Sequence, residues 1–242
     1  MDKLQKLLSK SRRAIQDFKL IENGDKIAVG LSGGKDSLTL LYILNAYKRF
    51  SPEKFDLIAI TLNPGTGADF SPLHKLCDEL QVPFYEIDTN IKEVVFDIRK
   101  EKNPCSLCAN IRRGALNTNA KNLGCNKIAL GHHKNDAIET LLLSMFYEGR
   151  IQSFSPKTYL DKADITLIRP MVYIDELEIK SFIKKNDISV INNPCPANGF
   201  TKRQEVKDLT YELDKRIPGF KKNIFSALNN PEQSFLWDKS KF

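Results

Sequence analysis

Ser32-Gly33-Gly34-Lys35-Asp36-Ser37 is the stretch from which the rest of this chain can be read. The apolar run before it, Lys26-Ile27-Ala28-Val29-Gly30-Leu31, has the continuous hydrophobicity of a buried strand. Leu38-Thr39-Leu40-Leu41-Tyr42-Ile43-Leu44 follows and reads as a helix. Strand, glycine-rich turn and helix together aim backbone N–H groups and a helix N-terminus at an anion. Gly33 and Gly34 allow a sharp bend and a close approach to a phosphate. Lys35 brings a full positive charge, Ser32 and Ser37 bring hydroxyl donors, and Asp36 brings a carboxylate suited to Mg2+. A plain capped glycine turn uses the same residue types. Their order at a strand-to-helix joint favours the phosphate site. The pattern G-x-x-x-x-G-K-[ST] is absent, so this is a different kind of phosphate loop.

Further strands are expected at 55–62, 83–87, 126–131 and 165–170, with a helix at 71–80 that starts with Ser71 as its cap and Pro72 at its first position. Strands alternating with helices predict an α/β fold with a doubly wound parallel sheet, whose ligands bind beyond the carboxyl ends of the strands. The glycine loop, Asn63-Pro64-Gly65 and Gly131-His132-His133 all fall at that edge. Residues 1–20 carry leucines and isoleucine at helical spacing among Lys and Arg, and are expected to form an amphipathic N-terminal helix. Residues 21–170 are assigned to the nucleotide-binding α/β domain. Residues 171–242 are expected to be mostly helical, with helices at 175–185 and 204–215, and to pack on the same domain.

The 242 residues, 41% hydrophobic, suffice for a full core. Thirty-seven basic against 30 acidic residues give a net charge of +7, which agrees with a polyanionic partner without requiring one. No apolar run reaches the roughly 20 residues that span a bilayer, and the first residues lack the apolar core of a signal peptide. The expectation is a cytoplasmic protein with no membrane partner.

Five cysteines in such a compartment point to metal binding or catalysis more than to disulfides. Cys105 and Cys108 form a C-x2-C pair just before an expected helix at 109–121. Two thiolates so close can bind one metal, ligate an iron cluster or form a redox disulfide. Cys195, in Asn193-Pro194-Cys195-Pro196, is expected in a loop. Three such cysteines could hold a cubane cluster and leave one iron open, although a lone loop thiol reads equally as unliganded. Cys77 and Cys125 read as packing residues. Gly131-His132-His133-Lys134-Asn135-Asp136 follows a strand and opens a helix, where Asp136 suits either a cap or Mg2+–ATP, and Gly131 suits close nucleotide approach.

Taken in order, these motifs resemble the tRNA 2-thiocytidine biosynthesis (TtcA) family of PP-loop ATP pyrophosphatases. The pieces are Ser32–Ser37, the C-S-L-C of Cys105–Cys108 followed by Arg112-Arg113-Gly114, the G-H-H-x-x-D of Gly131–Asp136, Ile168-Arg169-Pro170, Cys195 and Arg203-Gln204. They extend over about residues 20–230. The resemblance implies that Cys105, Cys108 and Cys195 hold a [4Fe-4S] cluster with one free iron. It implies that ATP and Mg2+ sit on Ser32, Gly33, Gly34, Lys35, Asp36 and Ser37 together with Gly131 and His132. Lys35, Asp36 and Asp136 are the implied catalytic residues, and Asp36 the magnesium ligand. The implied activity is ATP-dependent tRNA thiolation, with adenylation of a cytidine C2 oxygen in the anticodon loop and then sulfur transfer. Partners are tRNA and a sulfur donor, either a cysteine desulfurase or sulfide; a homodimer is left open. One of Arg112 and Arg113 is expected on an ATP phosphate or the tRNA backbone, with plain helix-surface arginines as the alternative. Asn135 stands where relatives often have a first Asp. The alternatives are a cluster-free PP-loop enzyme adenylating tRNA or a small molecule, a non-catalytic nucleotide- or RNA-binding module, and sulfuration of a small molecule.

Overall fold

The computed structural model describes residues 3–65, 67–98, 104–191 and 202–230. These divide into two compact units, Met1–His133 with Ser155–Asn198, and Lys134–Phe154 with Gly199–Phe242.

The first unit is built on a six-stranded sheet in the order β3-β2-β1-β4-β6-β5. The strands are β1 (Lys26–Gly30), β2 (Asp56–Asn63), β3 (Phe84–Asp88), β4 (Lys127–Ala129), β5 (Lys157–Leu160) and β6 (Ile165–Ile168). All neighbours are parallel except β5, which runs antiparallel to β6 at the edge. Ile27, Val29, Leu57 and Ala59 face one side and pack with helices α1 (Lys3–Asp17), α2 (Lys35–Lys48), α3 (Ser71–Glu79) and α6 (Glu176–Lys185). Ala28, Ile58, Ile60 and Ile128 face the other and pack with α4 (Pro104–Asn122). Period-2 alternation with apolar residues on both faces is the reason β1 reads as an unbroken hydrophobic run. The doubly wound sheet expected from the alternation of strands and helices is the one observed.

Two expectations shift. Ser71 lies inside α3, whose cap is Phe70, because the Asp69 carboxylate accepts the Ser71 N–H at 2.9 Å and the hydroxyl at 3.0 Å and starts the helix one residue early. The pair Cys105 and Cys108 lies within the first turns of α4, not before it. Strand β5 is not among the expected strands, since Lys157, Thr158 and Leu160 are only half-buried and Tyr159 is exposed.

At the amino ends of the strands, Lys127 is 3% exposed. Its ammonium lies 2.7 Å from both Glu22 and Asp25 and donates to the Leu20 carbonyl at 3.1 Å. Asp25 also accepts from the Asn126 amide at 2.7 Å. This network ties the chain entering β1 to β4, and the Lys127 hydrogen bond, then its charge and that of Lys157, hold the Glu22 carboxyl below its ordinary range.

Cys77 and Cys125 are fully buried packing residues, as their sequence context suggests. Burial pushes the Cys77 thiol up to about 12, and the Cys125 thiol upward as well. Both are expected to resist iodoacetamide at pH 8 in the native protein and to react in urea, read by peptide mass mapping. Since the folded-state thiols ionise later than the unfolded ones, stability is expected to fall as pH rises above about 9.

The second unit contains α5 (Lys134–Leu143), a π-helical turn (Ser144–Glu148), α7 (Lys202–Arg216) and α8 (Phe220–Leu228). Ile138, Leu142 and Val206 form its core with Phe220, Ile224 and Phe225 packed around them. No helix among the described residues is long and apolar enough to cross a membrane.

Candidate nucleotide site

From β1 the chain winds to β2 and β3 on one side, then resumes at β4 on the other, so the winding reverses between β1 and β4. Ligands in such sheets bind at this reversal, beyond the carboxyl ends. Two segments leave those ends, Leu31–Gly34 from β1 and Leu130–His133 from β4.

The first enters α2 through a tight hydroxyl-bonded turn. Ser37 Oγ donates to the Gly34 carbonyl at 3.0 Å, accepts the Ser32 N–H at 3.2 Å, and lies 3.1 Å from Ser32 Oγ. Thr39 Oγ1 donates to the Lys35 carbonyl at 2.7 Å. The N-cap of α2 is Gly34, so no side chain from the cap covers the first N–H groups of the helix. An uncapped helix N-terminus favours negative charge. Gly33 has φ +77°, and its carbonyl accepts the Ile191 N–H at 3.0 Å. A Cβ on Gly33 would lie 2.8 Å from the Ile191 Cβ, so only glycine fits.

Gly131 is required for a different reason. A Cβ there would meet the Asp36 carbonyl carbon at 3.0 Å and the Ser37 nitrogen at 3.1 Å. The β4 segment thus lies directly against the first turn of α2. Gly131→Ala is expected to force the two apart and cost about 1–3 kcal/mol, read as a lower melting temperature, with weaker ATP binding.

The charged centre is Lys35. Its ammonium lies 2.9 and 2.8 Å from the two Asp36 oxygens and 3.2 Å from Glu176. Burial lowers its pKa, but the Asp36 hydrogen bond and charge, followed by Glu176, outweigh this and hold it above the ordinary lysine value. Asp36 is also 3.6 Å from His133 Nε2, on a ring that is 2% exposed. Sequence reasoning selected His132, which is half-buried, and missed both His133 and Glu176. Glu176 is buried at the first turn of α6, where an acid reads as an ordinary helix-start residue.

Arg112 is half-buried and Arg113 exposed on α4. Burial, then the Arg113 charge, lowers the pKa of Arg169 to about 10. Arg169, just past β6, donates to the Ser155 carbonyl at 2.6 Å and lies 3.2 Å from Thr158 Oγ1. In the second unit, Asp136 lies in the first turn of α5 with its carboxylate 3.7 Å from Arg203.

Cys108 is half-buried. Cys105 lies three positions before it on the same helix, α4. Such a donor set suits an iron–sulfur cluster, and Asp36 beside an uncapped helix N-terminus suits Mg2+ on a triphosphate. Cys195 lies outside the described residues.

A family model described as the PP-loop domain matches residues 3–208. A tRNA-cytidine(32) 2-sulfurtransferase of Geobacter metallireducens is 41% identical over 237 residues, spanning 94% of this chain and 90% of its own length. One from Aliivibrio fischeri is 39% identical, spanning all of this chain and 80% of its own. Among solved structures, the U34-tRNA thiolase NcsA of Methanococcus maripaludis, with its [4Fe-4S] cluster, superposes with a TM-score of 0.75. That match has 26% identity and covers 98% of this chain and 82% of NcsA. With the phosphate loop, the sheet reversal and these relatives in agreement, the chain belongs to the PP-loop family, among its tRNA-cytidine(32) 2-sulfurtransferases.

Proposed function

We infer that this chain thiolates a cytidine in the anticodon loop of tRNA, at the position carried in its relatives' name, using ATP to activate the C2 oxygen. The observation that carries this reading is the Lys35–Asp36 pair at the uncapped N-terminus of α2, placed at the sheet reversal. The reading assigns the nucleotide to Ser32, Gly33, Gly34, Lys35, Asp36, Ser37, Gly131 and His132.

Each residue has a task that its chemistry supports. First-turn N–H groups of α2 receive phosphate oxygens, as helix N-termini do. Lys35 neutralises charge that builds on the phosphates as the cytidine C2 oxygen attacks the α-phosphorus and pyrophosphate leaves. Asp36 would hold Mg2+, and Asp136 is assigned a supporting role toward the same Mg2+–ATP. Arg112 or Arg113 would take a phosphate of ATP or of the tRNA backbone. The target base must leave its stack, which costs less in a loop than in a duplex. A sulfur nucleophile then adds at C2, the C2–O bond breaks, and AMP leaves. Oxygen alone is a poor leaving group, and adenylation makes it AMP.

Cys105, Cys108 and Cys195 would hold the [4Fe-4S] cluster, which supplies an iron not ligated by cysteine for binding sulfur. Ligation would take these thiols as thiolates, and Cys105 and Cys108 would supply two of them from one helix, α4. Anaerobic purification is expected to yield a brown protein with about four irons and four sulfides per chain, and Cys195→Ala is expected to lose them. A colourless, zinc-loaded wild type would remove the cluster from this reading and leave the ATP chemistry standing. Sulfide or a cysteine desulfurase as donor, a cytoplasmic setting and a homodimer accompany the proposal.

A further inference from the structure

Lys35 is shared by two carboxylates from different parts of the chain. Asp36, its neighbour in sequence, binds it through both oxygens at 2.8 and 2.9 Å. Glu176 reaches it from α6 at 3.2 Å, with a side chain only 8% exposed. The position of Glu176 is fixed by its helix. Asp175 caps α6 by accepting the Leu177 N–H at 2.9 Å, and Glu178 closes the capping box onto the Asp175 N–H at 3.0 Å. The Glu178 carboxylate is held in turn by Lys10 of α1 at 2.6 Å. Helix α6 also packs on α2 and α1. A rigid, buried carboxylate is therefore presented to a lysine of the phosphate loop.

The chemistry of the site gives Asp36 two competing tasks. Paired through both oxygens to Lys35, it already faces one cation. A Mg2+ ion on the same carboxylate would stand close to that ammonium and repel it, which favours a looser Lys35–Asp36 pair. An ammonium divided between two carboxylates holds each less tightly than it would hold one alone. It also keeps an anchor when the first departs.

We propose that Glu176 is a positioning residue of the nucleotide site, which takes over the Lys35 ammonium so that Asp36 is released to Mg2+ when ATP binds. This rests on the assignment of Mg2+–ATP to the Ser32–Ser37 loop. Lys180 also pairs with Glu176, at 3.4 Å, but through Oε2, while Lys35 lies against Oε1, so it is not needed for the handover.

The test is a Mg2+ titration of the binding of a non-hydrolysable ATP analogue to the full chain, followed by calorimetry. Wild type, Glu176→Gln, Glu176→Asp, Lys35→Met, Lys180→Met and the Glu176→Gln/Lys35→Met double variant are compared, each checked for an unchanged melting profile. Glu176→Gln is expected to raise the Mg2+ needed for half-maximal nucleotide binding about fivefold. Glu176→Asp, shorter but charged, is expected to recover part of that shift, and Lys180→Met to stay within twofold of wild type. With Lys35 already replaced by Met, Glu176→Gln is expected to shift the midpoint by less than 1.5-fold, since residues acting through one another are not additive. An undiminished fivefold shift in the Lys35→Met background would mean that Glu176 acts through the general field or through packing, and overturns the proposal. So does an unshifted Glu176→Gln. If Lys35→Met and wild type bind the nucleotide equally and without regard to Mg2+, the assignment of the loop itself fails, which is a separate outcome.

Discussion

Lys35→Met is expected to lower ATP-dependent AMP formation in the presence of tRNA by about 10²–10³-fold, the usual loss when one preorganised group facing transition-state charge is removed. The structure gives three reasons. Lys35 is the cation within the Ser32–Ser37 loop, and it is held at the first turn of a helix whose cap carries no side chain. Asp36 and Glu176 fix its head group from two directions and keep it protonated through the neutral range. It is a quarter exposed, so an arriving phosphate can reach it. Lys35→Arg is expected to recover little, because a planar guanidinium does not occupy the place of a compact ammonium wedged between two carboxylates. The loss is expected mainly in kcat. Melting curves separate it from misfolding, and an AMP yield within threefold of wild type would remove Lys35 from the chemistry.

The second large effect lies at the opposite edge of the sheet. Lys127→Met is expected to destabilise the fold by about 3–5 kcal/mol, read from urea unfolding at pH 7. Lys127 and Asp25 have side chains 4% exposed, so removing the lysine leaves a buried carboxylate without its cation, held only by the Asn126 amide and the Glu22 N–H. Glu22, 61% exposed, regains water and contributes little to the loss. The double variant Lys127→Met/Asp25→Asn is expected to recover part of the stability, since it removes the stranded charge. The Glu22 carboxyl is held below its ordinary value, so its small contribution is present above the unfolded-state pKa and disappears as pH falls through the native one. A loss below 1 kcal/mol for Lys127→Met would show that water reaches Asp25 in the folded state.

What the sequence made legible follows from how each signal is encoded. The phosphate loop and its flanking elements are local in sequence. The apolar run of β1, the glycines and the α2 leucines announce a strand–turn–helix without outside help, and the alternation around them gives the doubly wound sheet. The motifs after β1 and β4 place both segments at the carboxyl edge, while the strand order, and with it the reversal between β1 and β4, shows only in the structure. Glu176 could not. It lies 141 positions beyond Lys35, and on its own it looks like any acid in the first turn of a helix. His133 was passed over in favour of His132 because sequence does not say which of two adjacent residues turns inward. The role of Gly131 was half legible. A close approach was expected, and what presses against it within the first unit is the backbone of Asp36 and Ser37. Strand β5 escaped because an edge strand with no fully buried residue carries almost no periodic signal. Lys127 escaped for the opposite reason: in a strand a lysine reads as exposed, and only the tertiary placement of Asp25 and Glu22 explains its burial.

The most direct test of the whole account uses cluster-reconstituted protein, kept anaerobic, with an unmodified tRNA transcript, ATP, Mg2+ and sulfide. Nucleosides from the digested tRNA and the adenine nucleotides are quantified together by mass spectrometry. 2-Thiocytidine is expected in the anticodon loop, with AMP and pyrophosphate formed at least in equal amount, and neither product above background with Lys35→Met. Thiolation that proceeds without ATP, or AMP formation from ATP with no thiolated cytidine under these conditions, would contradict this reading.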